Sequence, residues 1–185
     1  MKKIILASAS PRRRELLTVA GVEFDVLVSD ADETVPEGTA PKDAAMMTAE
    51  KKALAVAEKC PDSVVIGADT IVVIDDMILG KPKDEADAMA MLRTLSGREH
   101  QVITGVCLTD GEKTKCFAQV SKVRFYDLTD EEIASYVATE EPMDKAGSYG
   151  IQGKGCVLVE GIEGDYFNIV GLPVAETVRA LKLFG

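Results

Sequence analysis

Along the first hundred residues, two kinds of apolar segment take turns, and that alternation limits the fold more than any other feature of the chain. Residues 4–7, Ile-Ile-Leu-Ala, form a short continuous apolar run of the sort that makes a strand covered on both faces. Leu16, Leu17 and Ala20 then share one face of a helix that Ser10 caps, that Pro11 opens and that Gly21 closes. Val22, Phe24, Val26 and Val28 alternate, predicting a second strand over 22–29. A long helix is expected from Pro41 to about Cys60, with Met46, Ala49, Ala53 and Val56 on one stripe. Val64 to Ile66 reads as a buried strand interrupted by the turn-like Gly67-Ala68-Asp69-Thr70, with residues 71–74 extended and 77–79 returning. A helix over 84–96 follows and ends at Gly97. Strands that alternate with helices demand a sheet with helices laid against it.

From Gln101 onward the pattern changes. Residues 102–108 and 116–125 read as strands joined through Asp110-Gly111, a hairpin signal. Thr129 to Glu132 makes a capping box for a helix that stops before Pro142. Strands are expected near 156–160 and 165–170, then a last helix after Pro173. The expectation is an α/β protein: one domain over 1–185, a mixed twisted sheet flanked by helices, and two lobes about a deep cleft with a boundary near 98–101.

Composition excludes several functions. The chain has 185 residues and a formal net charge of −10, which argues against a nucleic-acid polymer as partner. No run approaches the ~20 apolar residues of a membrane helix, so no membrane role is expected. Cys60, Cys107, Cys116 and Cys156 are dispersed without a C-x-x-C pair, which argues against zinc and for free thiols in a cytoplasmic protein. The single histidine, His100, reads as an element-end residue, and neither a P-loop nor a nucleophile elbow is present.

Against that acidic background, Arg12, Arg13 and Arg14 crowd the start of the first helix. The backbone there is already electropositive, so acids are the favoured residues. An anion bound at that helix start turns the repulsion into affinity, with Ser8 and Ser10 adding hydroxyls. A solvated basic patch is the plainer alternative. Asp69, beyond a buried strand, and Glu33, in the acidic loop after the second, are placed to ligate a cation or accept a proton. Each alone reads more readily as a turn or surface acid. Lys52 and Lys81 could each hold a phosphate or simply face solvent. Gln152 lies in the glycine-rich 146–153 stretch, where backbone can approach a ligand and an amide can read a base edge.

Taken in order, SASPRR (8–13), DE (32–33), AEKKA (49–53), GADT (67–70), GKP (80–82), LSG (95–97), DKAG (144–147), GIQG (150–153) and VGLP (170–173) resemble the Maf family of nucleoside triphosphate pyrophosphatases over residues 4–183. The resemblance implies a fold similar to that of inosine triphosphate pyrophosphatases. It implies hydrolysis of a small nucleotide between its α- and β-phosphates with a divalent metal, Mg²⁺ or Mn²⁺. It casts Asp69 as catalytic base or metal-organising acid and Glu33 as metal ligand, without fixing which carboxylate does which. Ser8, Arg13, Lys52 and Lys81 become phosphate-binding residues. Arg12, Thr70 and Gln152 match the branch that prefers dTTP and UTP. The oligomeric state is left open, a homodimer included. A non-enzymatic nucleotide-binding regulator of septum formation is the competing reading, and a phosphatase releasing orthophosphate is a third.

Overall fold

The computed structural model describes residues 2–185. Its seven strands form one mixed sheet: β1 (Lys3–Leu6), β2 (Asp25–Val26), β3 (Ser63–Ile74), β4 (Met77–Leu79), β5 (Glu99–Thr109), β6 (Thr114–Phe125) and β7 (Val159–Glu163). The order is β2-β1-β3-β5-β6-β7, with β4 pairing β3. β1 runs parallel to both neighbours, while β4 on β3 and β7 on β6 are antiparallel. Six helices accompany the sheet: α1 (Pro11–Val19), α2 (Pro41–Ala57), α3 (Glu85–Leu95), α4 (Asp130–Val137), α5 (Tyr166–Val170) and α6 (Val174–Leu181). The α/β class expected from the alternation is what the chain adopts.

Two compact units divide the chain, and they interleave. The first comprises residues 1–70, 104–119 and 171–185; the second comprises 71–103 and 120–170. The chain crosses between them four times, within β3, β5 and β6 and after α5; the expected single boundary near 98–101 lies close to the crossing at 103/104 in β5.

In the first unit, α2 packs Ala49, Ala53 and Val56 onto Ile5, Ala7, Val65 and Cys107 of the sheet. The contact is close because glycine supplies it. A Cβ at Gly67 would meet Ala49 O at 2.2 Å and Ala53 N at 2.8 Å, and one at Gly105 would meet Ala45 C and O at 2.3 Å. In the second unit, α3 and α4 bury Leu92, Leu95, Ile133 and Val137 against Val102, Val123 and Phe125.

Local signals hold where they are chemically explicit. Ser10 caps α1 by accepting from Arg13 N, and Gly21 follows the helix at φ 71°. Thr129 and Glu132 close a reciprocal capping box. Gly111 turns the β5–β6 hairpin at φ 88°.

Four expectations need correction. β3 is not interrupted at Gly67–Thr70 but runs through it for 12 residues. The expected strand 22–29 shrinks to two residues, Asp25 and Val26, paired with Ile5 and Leu6 of β1; Val26, Leu27 and Val28 stay exposed. Residues 166–170 are helix α5, and the stretch before β7 is a 3₁₀ turn over Gly153–Leu158. Apolar runs this short have no decisive period. Finally, Cys107 and Cys116 are joined as a disulfide, with Cα atoms 4.1 Å apart across the hairpin, while Cys60 and Cys156 are free.

Candidate functional site

Seven of the nine nominated residues lie in the first unit, about the end of β1, the middle of β3 and helices α1 and α2. Alternation along β3 divides them. Gly67 and Asp69 face α2, whereas Thr70 faces α1, as their contacts with Ala49, Lys52 and Arg13 show.

On the α1 side the first-turn arginines separate into different roles. Arg13 is buried: its Nε donates to Gly171 O at 2.8 Å, Nη1 to Ser8 Oγ at 3.1 Å and Nη2 to Thr70 Oγ1 at 2.9 Å. Thr70 is held in turn by Thr104 Oγ1 at 2.9 Å. Burial lowers the Arg13 pKa from its ordinary value; Asp69 and Glu33 oppose that shift, and the neighbouring Arg12 adds to it. Ser8 Oγ accepts from Ser10 N at 3.2 Å as well as from Arg13, which leaves its own proton for donation. Arg12 is half-buried and Arg14 exposed. The turn is thus a strand-to-helix junction with a fixed guanidinium beneath it, and no acid lies in the first turn of α1.

On the α2 side, Lys52 joins the two nominated carboxylates. Its Nζ lies 3.0 Å from Asp69 Oδ1 and 3.1 Å from Glu33 Oε2. The side chains differ in exposure: 13% for Lys52, 20% for Asp69 and 60% for Glu33. Asp69 is fixed by its strand and Lys52 by the tightly seated helix, while Glu33 reaches in from the loop between β2 and α2. Two carboxylates that already converge on one cation are a donor set suited to a hard divalent ion, which takes one or two carboxylates and completes its shell with water and phosphate oxygens.

The second unit holds the other two nominated residues. Lys81 is exposed in the loop after β4, where Gly147 N donates to Gly80 O at 3.0 Å and ties that loop to the Lys145–Gly147 segment. Gln152 stands just before the Gly153–Leu158 turn. Its loop is ordered by Glu141, a residue absent from the sequence reading. Glu141 accepts from Lys154 N at 2.9 Å, Gly155 N at 3.0 Å and Tyr136 Oη at 3.0 Å, and Tyr136 Oη accepts from Gly150 N at 3.1 Å. Burial works to raise the Glu141 pKa, but these three donors outweigh it and hold the carboxyl below its usual value. An acid beside Pro142 gave no sign of this. His100 lies at the start of β5, as read, but is buried and bonded to Tyr149 Oη at 2.7 Å.

A strand-to-helix turn over a buried guanidinium, beside paired acids bridged by an ammonium, is an arrangement in an α/β protein that suits a small polyanion together with a cation. The chain belongs to the Maf family: a family model described as Maf-like protein matches residues 3–184. A relative from Bacillus cytotoxicus named dTTP/UTP pyrophosphatase is 56% identical over 184 residues, covering 100% of this chain and 96% of its own. One of the same name from a Geobacillus species is 55% identical over 185 residues, covering all of both chains. Among solved structures, the Staphylococcus aureus Ham1 protein shares the fold with a TM-score of 0.53 at 18% identity, over 83% of this chain and 78% of that one.

Proposed function

We propose that this chain is a nucleoside triphosphate pyrophosphatase that hydrolyses dTTP and UTP to the monophosphate and pyrophosphate, acting in the cytoplasm. The observation that carries this reading is the bridge of Lys52 between Asp69 and Glu33 beside the α1 turn. The names of the full-length relatives support the reaction and the substrate pair. Among the described residues no helix is long and apolar enough to cross a membrane.

In this mechanism the triphosphate lies against the start of α1, whose N–H groups and dipole favour anionic oxygens. Ser8 donates its free hydroxyl proton. Arg13 uses three N–H groups on the protein, so its main contribution is a fixed charge that need not reorganise. Glu33 and Asp69 would hold a Mg²⁺- or Mn²⁺-class ion, which when bound neutralises phosphate charge and acidifies water. Asp69 accepts the proton of the water that attacks the α-phosphorus. The bond from that phosphorus to the bridging oxygen breaks, and pyrophosphate leaves with its charge countered by Lys52. Gln152 offers a donor and an acceptor to the edge of a pyrimidine. Thr70 acts through Arg13, which it positions, and Arg12 adds to the cationic rim.

Purified protein supplied with Mg²⁺ and dTTP or UTP is expected to release pyrophosphate; orthophosphate as first product would point to a phosphatase instead. Asp69→Asn should lower kcat by about 10²–10⁴ while nucleotide binding persists. Wild-type turnover in that variant would overturn the assignment.

A further inference from the structure

A second convergence of ligand atoms lies elsewhere in the first unit. The β5–β6 hairpin brings Cys107 and Cys116 side by side although nine positions separate them. Glu50, on α2, places a carboxylate oxygen so that it and both sulfurs lie within 4.8 Å of one another. This is the only such group of three or more His, Cys, Asp or Glu residues among the described residues. Cys107 is fully buried in the apolar seam beneath α2, Cys116 is partly exposed, and Glu50 is solvent-accessible, so the cluster has a dry floor and a wet mouth.

Glu50 makes no hydrogen bond or ion pair with any described residue. A disulfide has no proton to offer it. Two thiolates and a cation do give a carboxylate there a use. Cysteine pairs in the reducing compartment proposed above are more often catalytic or metal-binding than covalently joined.

We propose that, in the reduced protein, Cys107, Cys116 and Glu50 form a site for one thiophilic divalent cation of the zinc class. The absence of C-x-x-C spacing spoke against zinc, but strand pairing supplies the proximity that the spacing lacks. A thiol or phosphine reductant delivers two electrons to the S–S bond, which breaks to give two thiols while the reductant is oxidised. On metal binding both thiols lose protons to solvent, and two sulfur–metal bonds and one oxygen–metal bond form. Water fills the fourth position of a tetrahedral shell. With metal–sulfur bonds of ~2.3 Å the sulfurs sit roughly 3.7 Å apart, so reduction must first let them part from their bonded separation. The oxidised and metal-bound forms exclude each other. The soft sulfur donors also separate this site from the all-oxygen pair Glu33 and Asp69, since thiolates select zinc-like ions over Mg²⁺.

The test uses the full chain carrying Cys60→Ser and Cys156→Ser, so that no other thiol contributes. The chain is reduced with a phosphine, desalted without oxygen, and titrated with Co²⁺ and then Zn²⁺ in excess Mg²⁺. The expected result is one equivalent of Co²⁺ per chain with a thiolate-to-metal charge-transfer band, displaced by Zn²⁺. The same chain with its disulfide intact should show none, a control that needs no further substitution. Glu50→Gln should weaken Zn²⁺ binding by at least about tenfold. Absence of the band in the reduced chain, or equal binding by reduced and oxidised chains, would overturn the proposal.

Discussion

Gly67→Ala is the most informative single perturbation of this molecule, because the geometry sets its size. The added methyl would lie 2.2 Å from Ala49 O and 2.8 Å from Ala53 N. Both are backbone atoms of a helix, so neither can rotate away. Ordinary contact begins near 3.4 Å, so α2 must retreat by about 1.2 Å. Overpacking of this kind costs about 1–3 kcal/mol. For a chain of this length that lowers Tm by roughly 2–12 °C. Lys52 sits between Ala49 and Ala53 and moves with the helix, so its 3.0 Å contact with Asp69 lengthens beyond hydrogen-bond range. A displacement of ~1 Å at a catalytic group costs about 10²-fold in rate. The assay is kcat/KM for pyrophosphate release from dTTP beside a thermal melt. Gly105→Ala is the control: it clashes with Ala45 at 2.3 Å, about 10 Å along α2 from Lys52. It should lower Tm to a similar degree with a smaller loss of turnover. If Gly67→Ala keeps kcat/KM within twofold of wild type with an unchanged Tm, the argument that this seam sets the spacing of the site is wrong.

Two further outcomes follow from the second unit. Burial lowers the His100 pKa from 6.5 to about 4, and its Nδ1 has no hydrogen-bond partner among the described residues. The folded state therefore favours neutral His100: its contribution is complete above pH 6.5 and declines as pH falls toward 4, by about 3 kcal/mol at 1.36 kcal/mol per pH unit. Denaturant titrations of wild type and His100→Phe should differ in pH slope over that window, and parallel slopes would refute the assignment. Glu141→Gln removes one of two acceptor oxygens beneath the Gln152 loop and should destabilise by about 1–3 kcal/mol. Because it acts through Gln152, it should raise KM for dTTP more than it lowers kcat; steady-state kinetics showing an unchanged KM would count against that positioning role.

Much of the candidate site could be nominated from sequence because its members sit beside strong local signals. Ser10-Pro11 marks the helix start that carries Arg13, and the apolar run 64–66 marks the strand that delivers Asp69. Contacts made over long sequence distance were not legible. Gly67 looked like a turn residue, yet glycine is there because a helix passes within van der Waals reach, and nothing in 67–70 announces that helix. Alternation over 22–28 predicted a strand correctly in kind, but its length follows from pairing with β1, which involves only Ile5 and Leu6 and which alternation does not encode. The Cys107–Cys116 contact depends on hairpin register, and the Glu141 cradle on a loop folding back over α4. Neither leaves a mark in spacing.

The ion pairs around Lys52 also give the two acids unequal anchorage. Asp69 is bolted to the sheet, and the ammonium beside it rides on a helix that cannot shift without collision. Glu33, three-fifths exposed, hangs from a tether of coil. Any tightening of this triad around an incoming ligand must therefore come from one jaw. Raising the salt concentration should loosen that jaw first, leaving the other gripped.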